Sequence, residues 1–236
     1  MSTKHLLLLH GALYTKEEFA PILEVLPALS SSHFATTHAI DFSGHGARAG
    51  EDVDFGMRRF ADDVLAHLDA EGVERTEIFG FSMGGYVGLY LARNHPERIG
   101  RVMTLGTKLR WDPATSAREI KMLDADTIEA KVPNFAATLK SRHGDADWRT
   151  VLARTATMMT ELGDAPALPY EQLAGIAAPV RLCLGDRDPM VTIEETVEAY
   201  RALPHGQLAI LPNTGHPLER VDPRMLIGEL VDFVGE

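Results

Sequence analysis

Short apolar runs alternate with helical patterns along the first half of the chain. After each of the first three runs, apolar residues recur at spacings of three and four, which is the period of an amphipathic helix. The runs predict strands over residues 5–9, 36–42, 76–79 and 99–105, and the periodic segments predict helices over residues 19–26, 55–71 and 83–94. This alternation predicts a parallel sheet with helices packed on both of its faces.

The rhythm changes between residues 107 and 175, where three helical patterns follow one another without an intervening strand. Pro133 is expected to start or kink the middle helix, because proline fits a first helical turn and disrupts an interior. Strands over 179–184 and 207–211 and helices over 193–203 and 223–234 then complete the chain. We therefore expect one α/β unit built from residues 1–106 and 176–236, with residues 107–175 inserted as a helical cap.

The composition is that of an ordinary globular protein. Of 236 residues, 45% are hydrophobic and 24% are charged, which excludes disordered, collagen-like and disulfide-scaffold classes. The net charge is −11 and no dense basic cluster interrupts it, so nucleic-acid partners are disfavoured. The apolar run at residues 6–9 is too short for a signal peptide or a membrane span, which predicts a cytoplasmic protein without a membrane partner. The choice between monomer and homodimer stays open.

One segment carries a motif of nucleophilic catalysis. Gly80-Phe81-Ser82-Met83-Gly84 fits the pattern G-x-S-x-G, and it follows the third predicted strand directly and opens the next helix. A sharp turn in this setting holds a serine exposed, and glycines are needed where neighbouring backbone passes too close for a Cβ atom. The alternative interpretation is a glycine-rich helix start that only packs against the sheet.

With this motif, the chain resembles the α/β-hydrolase superfamily over nearly its whole length. Four segments match the family's motifs in the family's order: His10-Gly11 resembles the oxyanion loop, residues 80–84 the nucleophile elbow, residues 185–188 (Gly-Asp-Arg-Asp) the turn after the penultimate strand, and Gly215-His216 the catalytic histidine segment. The loop of residues 41–46 is also similar to the family's D-x-x-G-x-G loop. The resemblance implies an α/β-hydrolase fold, with a mostly parallel six-stranded sheet in the order 2-1-3-4-5-6, helices on both faces and the inserted helical cap.

The resemblance also implies a catalytic triad. Ser82 would attack an acyl carbonyl, His216 would take the serine proton, and Asp188 would orient the imidazole and stabilise its charged form. Asp186 competes with Asp188 for the acidic position, and the G-x-x-D spacing favours Asp188. The chain itself then supplies the nucleophile, the base and the acid, so no cofactor is implied.

Two backbone N–H groups complete the site that the resemblance implies. Those of Ala12 and Met83 would stabilise the oxyanion of the reaction, with Leu13 as the alternative second donor. A side-chain metal site is disfavoured, because the ten histidines show neither H-x-x-x-H nor H-E-x-x-H spacing.

Large apolar side chains of the cap segment, and two beside the motifs, are candidates for a substrate pocket above the serine. Helical spacing makes core packing the alternative role for the cap residues, and Lys108, Arg110 and Arg142 either meet a substrate carboxylate or are solvated. The pocket candidates are Leu13, Phe81, Trp111, Phe135, Trp148 and Met159.

Three functional hypotheses follow for this small-molecule enzyme or binding protein. The first is a serine hydrolase that cleaves a small to medium, apolar carboxylic ester through an acyl-enzyme on Ser82. The second uses the same triad for hydrolysis of a carbon–carbon bond in a diketone, or for an elimination of the menaquinone-pathway type, with perhydrolysis as a side activity. The elimination synthases resemble the pattern G-x-S-x-G-G-R, in which the arginine meets a substrate carboxylate. This chain has Tyr86 at that position, after Gly85, which weighs against the elimination. The third is a non-catalytic ligand-binding protein on the same fold.

Overall fold

The computed structural model describes residues 4–30, 34–144 and 147–235. Its strands are β1 (Lys4–Leu9), β2 (Phe34–Ile40), β3 (Thr76–Phe81), β4 (Ile99–Leu105), β5 (Val180–Gly185) and β6 (Gly206–Leu211). They form one sheet in the order β2-β1-β3-β4-β5-β6, in which every neighbouring pair is parallel. The predicted fold class and strand order are confirmed, although β2 begins and ends two residues earlier than predicted.

The sheet separates two hydrophobic cores, because successive side chains of a strand point to opposite faces. In β1, Leu7 and Leu9 belong to one buried cluster, whereas Leu6 and Leu8 belong to the other. This strand is buried on both faces, which explains why it has an unbroken apolar run instead of an alternating pattern.

Helices cover both faces. The α-helices are α1 (Ala20–Ser30), α2 (Met57–Ala70), α3 (Met83–Asn94), α4 (Pro113–Ile120), α5 (Ala125–Lys131), α6 (Pro133–His143), α7 (Trp148–Asp164), α8 (Ile193–Ala202) and α9 (Pro223–Gly235). Phe233 of α9 shares a cluster with Ile22 of α1, while Phe60 of α2 and Val87 of α3 belong to the other cluster. None of the helices in the described ranges has both the length and the apolar character needed to cross a membrane.

The helices α4 to α7 fill the described part of the chain between β4 and β5, where the sequence predicted three helices. The prediction of three was wrong because two aspartates cap short, separate helices. Asp112 accepts a hydrogen bond from the N–H of Thr115, and Asp124 accepts one from the N–H of Thr127, both at 2.7 Å. Pro133 is the first residue of α6 and therefore starts that helix, as predicted.

The carboxyl ends of the strands meet at one edge of the sheet. In the parallel register, Leu9 lies opposite Gly80, Phe81 opposite Leu105, and Gly185 opposite Leu211. The loops that follow β1, β3, β5 and β6 therefore emerge side by side. This edge, where open α/β sheets form their ligand crevices, carries all of the predicted triad.

Candidate active site

Ser82 occupies a strained turn between a strand and a helix. β3 ends at Phe81, α3 begins at Met83, and the serine between them has φ 49° and ψ −113°. A positive φ is uncommon for a residue with a side chain and persists only where the surrounding structure enforces it. Here the Ser82 N–H donates to the carbonyl of Leu105 at 2.8 Å, and the hydroxyl of Thr107 donates to the Ser82 carbonyl at 2.9 Å.

The two glycines of the motif allow this turn to pack closely. A Cβ atom at Gly80 would lie 2.4 Å from the nitrogen of Gly85, and one at Gly84 would lie 2.1 Å from the carbonyl oxygen of Leu9. Both contacts are with backbone, which cannot rotate away. The close approach brings α3 against the end of β1, so the serine and the loop after β1 become neighbours.

Asp188 and His216 form a hydrogen-bonded pair at the same sheet edge. The Nδ1 of His216 lies 2.7 Å from Oδ2 of Asp188, and the other carboxylate oxygen accepts the N–H groups of Met190 and Val191 at 2.8 and 2.9 Å. Burial alone would raise the pKa of Asp188, but the hydrogen bond and charge of His216 and these two N–H groups lower it below its usual range. Asp188 therefore stays ionised and keeps the proton of neutral His216 on Nδ1, which leaves Nε2 free to accept one.

Sequence reasoning missed Gly106, which lets this pair approach the end of β4. Gly106 has φ 61°, and a Cβ atom there would lie 3.1 Å from Oδ2 of Asp188 and 3.2 Å from Nδ1 of His216. The available signal was a glycine directly after the fourth strand, at the edge where the triad was expected.

The predicted oxyanion donors lie on either side of the serine. Met83 is the first residue of α3, so its N–H has no partner within the helix and lies at the positive end of the helix dipole. Ala12 follows Gly11, and a Cβ atom placed on Gly11 would lie 3.3 Å from the Cβ of Ser82. The loop after β1 thus runs directly past the serine.

A narrow cavity of about 40 Å³ opens beside Ser82. That volume is of the order of a water molecule and not of an ester, so binding a substrate group would require the side chains around it to move. Most of its lining is apolar, and four of its residues are methionines, whose flexible side chains adapt to different shapes. The lining residues are Ala12, Met57, Ser82, Met83, Tyr86, Lys108, Trp111, Met158, Met159 and Leu162.

A family model described as the alpha/beta hydrolase family matches residues 6–226 of this chain. The chain belongs to the alpha/beta hydrolase family. The protein is therefore a member of a family of hydrolytic enzymes, as the resemblance of its motifs implied.

Named relatives of this hydrolase span most of its length. It is 26% identical over 226 residues to the Agrobacterium fabrum protein named "Putative carbamate hydrolase RutD", covering 86% of this chain and 84% of that one. It is 26% identical over 233 residues to the pimeloyl-[acyl-carrier protein] methyl ester esterase of Aliivibrio salmonicida, covering 89% and 84%. The crystal structure of the enol-lactonase from Burkholderia xenovorans LB400 has the same fold, with a TM-score of 0.77 and 21% identity over all of this chain and 93% of that one.

The structure separates the six predicted pocket residues into two groups. Trp111 and Met159 line the cavity of the hydrolase. The other four pack elsewhere: Phe81 lies with its ring centre 5.3 Å from that of His216, Leu13 is buried in the core, Phe135 packs against the same core, and Trp148 is 1% exposed.

Lys108 faces the cavity but is balanced by the protein's own carboxylates. Its Nζ donates to the carbonyl of Met190 at 2.6 Å and lies 3.6 Å from Glu119 and 3.7 Å from Glu195. Tyr86, which stands where elimination synthases have arginine, uses its hydroxyl to accept the N–H of Leu168 at 2.9 Å and to donate to the carbonyl of the same residue. Neither side chain presents a free positive charge to a substrate.

His10 fastens the loop after β1 to the loop after β2. It is fully buried, its Nδ1 lies 2.8 Å from the carbonyl oxygen of Gly11, and its Nε2 accepts the N–H of Phe42 at 3.1 Å. Burial lowers the pKa of His10 to about 4. Burial likewise lowers the pKa of His45, whose ring centre is 5.2 Å from that of His10.

We expect the free energy of unfolding to fall as the pH drops below 6.5, because the unfolded chain binds a proton there that folded His10 does not bind above pH 4. His10 alone accounts for a loss of about 2 kcal/mol between pH 7 and pH 5. Chemical denaturation of the wild type, His10→Gln and the exposed-site control His205→Gln at both pH values measures this. The loss should be smaller in His10→Gln and unchanged in the control; equal losses in all three would contradict it.

Among the described residues, no group of three or more His, Cys, Asp or Glu side chains is arranged to hold a metal ion. The site chemistry described above is built from a hydroxyl, an imidazole, a carboxylate and backbone N–H groups.

Proposed function

We propose that this chain is a serine hydrolase that cleaves a small to medium, apolar carboxylic ester through an acyl-enzyme on Ser82. The observation that carries the proposal is the bond of 2.7 Å between His216 and Asp188 at the sheet edge where the strained elbow presents Ser82 to the cavity. A carboxylate, an imidazole and a serine at one sheet edge are the groups that an activated serine nucleophile requires, which supports the proposal.

In the first half of the reaction, the Oγ of Ser82 attacks the ester carbonyl carbon while its proton passes to Nε2 of His216. The resulting imidazolium is stabilised by ionised Asp188 and then donates that proton to the departing alkoxide, which leaves as an alcohol. The acyl group remains bonded to Ser82.

In the second half, water takes the place of the serine hydroxyl. His216 accepts a proton from water as its oxygen attacks the acyl carbon, and it returns that proton to Oγ of Ser82 as the carboxylic acid leaves. In both halves the negative charge on the carbonyl oxygen is stabilised by the N–H groups of Met83 and Ala12, each worth about 3 to 4 kcal/mol in the transition state.

The cavity supports the assignment of an apolar, uncharged acyl group. Met57, Met158 and Leu162 offer thioether and aliphatic surface, which favours hydrocarbon groups over charged ones. The ammonium of Lys108 lies between Glu119 and Glu195, so it offers little attraction to a substrate carboxylate. The names of the relatives, which refer to a carbamate, a methyl ester and an enol-lactone, all describe acyl compounds.

Covalent labelling tests the proposal directly. We expect a fluorophosphonate to add one mass increment to the protein, located on the peptide that contains Ser82, and to add none in Ser82→Ala. Wild-type protein should also hydrolyse p-nitrophenyl acetate and butyrate faster than the corresponding carboxylated hemisuccinate ester. A folded wild type that neither labels nor hydrolyses any of these esters would overturn the assignment.

The same substrate panel distinguishes the competing functions. A vinylogous diketone turned over well above the esters would assign carbon–carbon hydrolysis to the triad. Ligand-induced stabilisation without turnover of any substrate would assign the chain as a binding protein.

A further inference from the structure

The loop after β1 has a conformation that its own sequence does not favour. Leu13 has φ 63°, a left-handed backbone conformation that is costly for a leucine. The Tyr14 N–H closes this turn on the carbonyl of Gly11 at 3.2 Å. The Leu13 carbonyl and the Tyr14 N–H belong to one peptide unit, and the Gly11 carbonyl and the Ala12 N–H belong to another. The hydrogen bond between Tyr14 and Gly11 joins these two units, so a contact that holds the Leu13 carbonyl also helps to fix the direction of the Ala12 N–H.

The last turn of α6 holds that peptide. The Nε2 of His143 lies 3.1 Å from the carbonyl oxygen of Leu13, and Nη1 of Arg142 donates to the same oxygen at 3.3 Å. The Nδ1 of His143 accepts the N–H of Gly46 at 3.1 Å, which places the proton of neutral His143 on Nε2, facing Leu13. One histidine therefore joins α6, the loop after β1 and the loop after β2.

Arg142 extends the same contact toward the catalytic histidine. Its side chain is 8% exposed, its guanidinium carbon lies 4.1 Å from the centre of the Tyr14 ring, and its Nε donates to Glu18 at 2.5 Å. Its Nη2 lies 3.8 Å from Glu219, which also accepts the hydroxyl of Tyr14 at 2.9 Å and stands three residues after His216.

These contacts join α6 to two loops that are remote from it in sequence. The buried side chains of His143 and Arg142 share the carbonyl oxygen of Leu13, so removing either one takes a hydrogen-bond partner from the strained turn. The turn, the oxyanion donor next to it and the docked helix thus form one arrangement.

We propose that His143 and Arg142 are positioning residues that hold the oxyanion loop in its productive shape when α6 is docked. The inference rests on the proposed acyl-transfer function. Losing either side chain is therefore expected to loosen the loop that carries the Ala12 N–H, although both residues lie outside the triad.

Kinetics of α6 variants test the inference. His143→Ala and Arg142→Met are expected to lower kcat for p-nitrophenyl butyrate about 10- to 100-fold, less than the roughly 10²- to 10³-fold of losing an oxyanion donor outright, with KM within about twofold. Butylboronic acid forms a tetrahedral adduct on serine that uses the same donors. Its inhibition constant should therefore rise by about the same factor by which kcat falls. His143→Gln retains an N–H for Leu13 and should recover most of kcat.

A matched control and a measurement without substrate separate positioning from simple loosening of the fold. Lys140, on the same helix, pairs with Glu129 and lies over Trp148, so Lys140→Met should leave kcat within about twofold of wild type. Hydrogen exchange of the peptide covering residues 10–16 should accelerate in His143→Ala and Arg142→Met and not in Lys140→Met.

The outcomes distinguish this inference from the proposed function. If the wild type labels and hydrolyses but the α6 variants match Lys140→Met in kcat and hydrogen exchange, or change KM alone, the positioning role is wrong and the hydrolase assignment stands. If the wild type neither labels nor hydrolyses, both fail.

Discussion

Replacing Ser82 with alanine is expected to lower kcat for ester hydrolysis by about 10⁴- to 10⁶-fold, the range set by loss of a nucleophile that works as one unit with its base. KM should change little, because the cavity beside the serine is lined mainly by apolar side chains that the substitution leaves in place. Steady-state kinetics with p-nitrophenyl butyrate measure both constants. Ser116→Ala, the same substitution within α4, serves as the matched control and should leave kcat within about twofold.

A double variant that combines Ser82→Ala with His216→Ala tests whether Ser82 and His216 form one catalytic unit. If His216 acts only by taking the serine proton, His216→Ala alone should cost about as much as Ser82→Ala, and the double variant should be no slower than either. Losses that multiply would indicate two independent roles, and a loss below about tenfold for Ser82→Ala would remove the serine from the mechanism.

Much of the fold follows from local patterns in the sequence. Strand and helix periods are set by residues only a few positions apart, so the apolar runs and helix faces predicted the sheet and the helices that cover it. The elbow was equally local, since Gly80, Ser82 and Gly84 lie within one turn. The strand order came from the family resemblance rather than from any period.

The segment between β4 and β5 was less predictable because its helix ends depend on side-chain caps. Asp112 and Asp124 each start a short helix by accepting the N–H of the residue three positions on, a signal that helical periodicity alone does not contain. The cap itself, as a functional unit, stays a prediction.

The pocket lining was the least predictable feature because it depends on tertiary packing. Trp148 and Met159 lie on one helix and follow the same apolar pattern, yet the first is buried against its neighbours and the second lines the cavity. Met57 reaches the cavity from α2, far away in the sequence. The contact between His143 and Leu13 joins residues 130 positions apart, and no periodic pattern encodes such a pair.

Replacing Asp188 with asparagine is expected to lower kcat by about 10⁴-fold through the wrong histidine tautomer. The N–H groups of Met190 and Val191 require an oxygen at the Oδ1 position, so the amide NH₂ of D188N must face His216. His216 then accepts that bond at Nδ1 and carries its own proton on Nε2, the nitrogen that must accept the proton of Ser82. Steady-state kinetics above and below pH 7 measure the fall in kcat. Lowering the pH should not restore kcat.

Asp186 provides the matched control, because sequence spacing left it as the competing acid. Its Oδ1 accepts the N–H of Thr214 at 3.1 Å, a bond that the amide oxygen of asparagine can also accept. Asp186→Asn should therefore keep kcat within a few-fold of wild type. Equal losses in both variants would indicate a general electrostatic effect of negative charge at this turn, whereas a larger loss in Asp186→Asn would transfer the acidic role to that residue. A selective loss in Asp188→Asn locates the acid on the carboxylate that holds Nδ1 of His216.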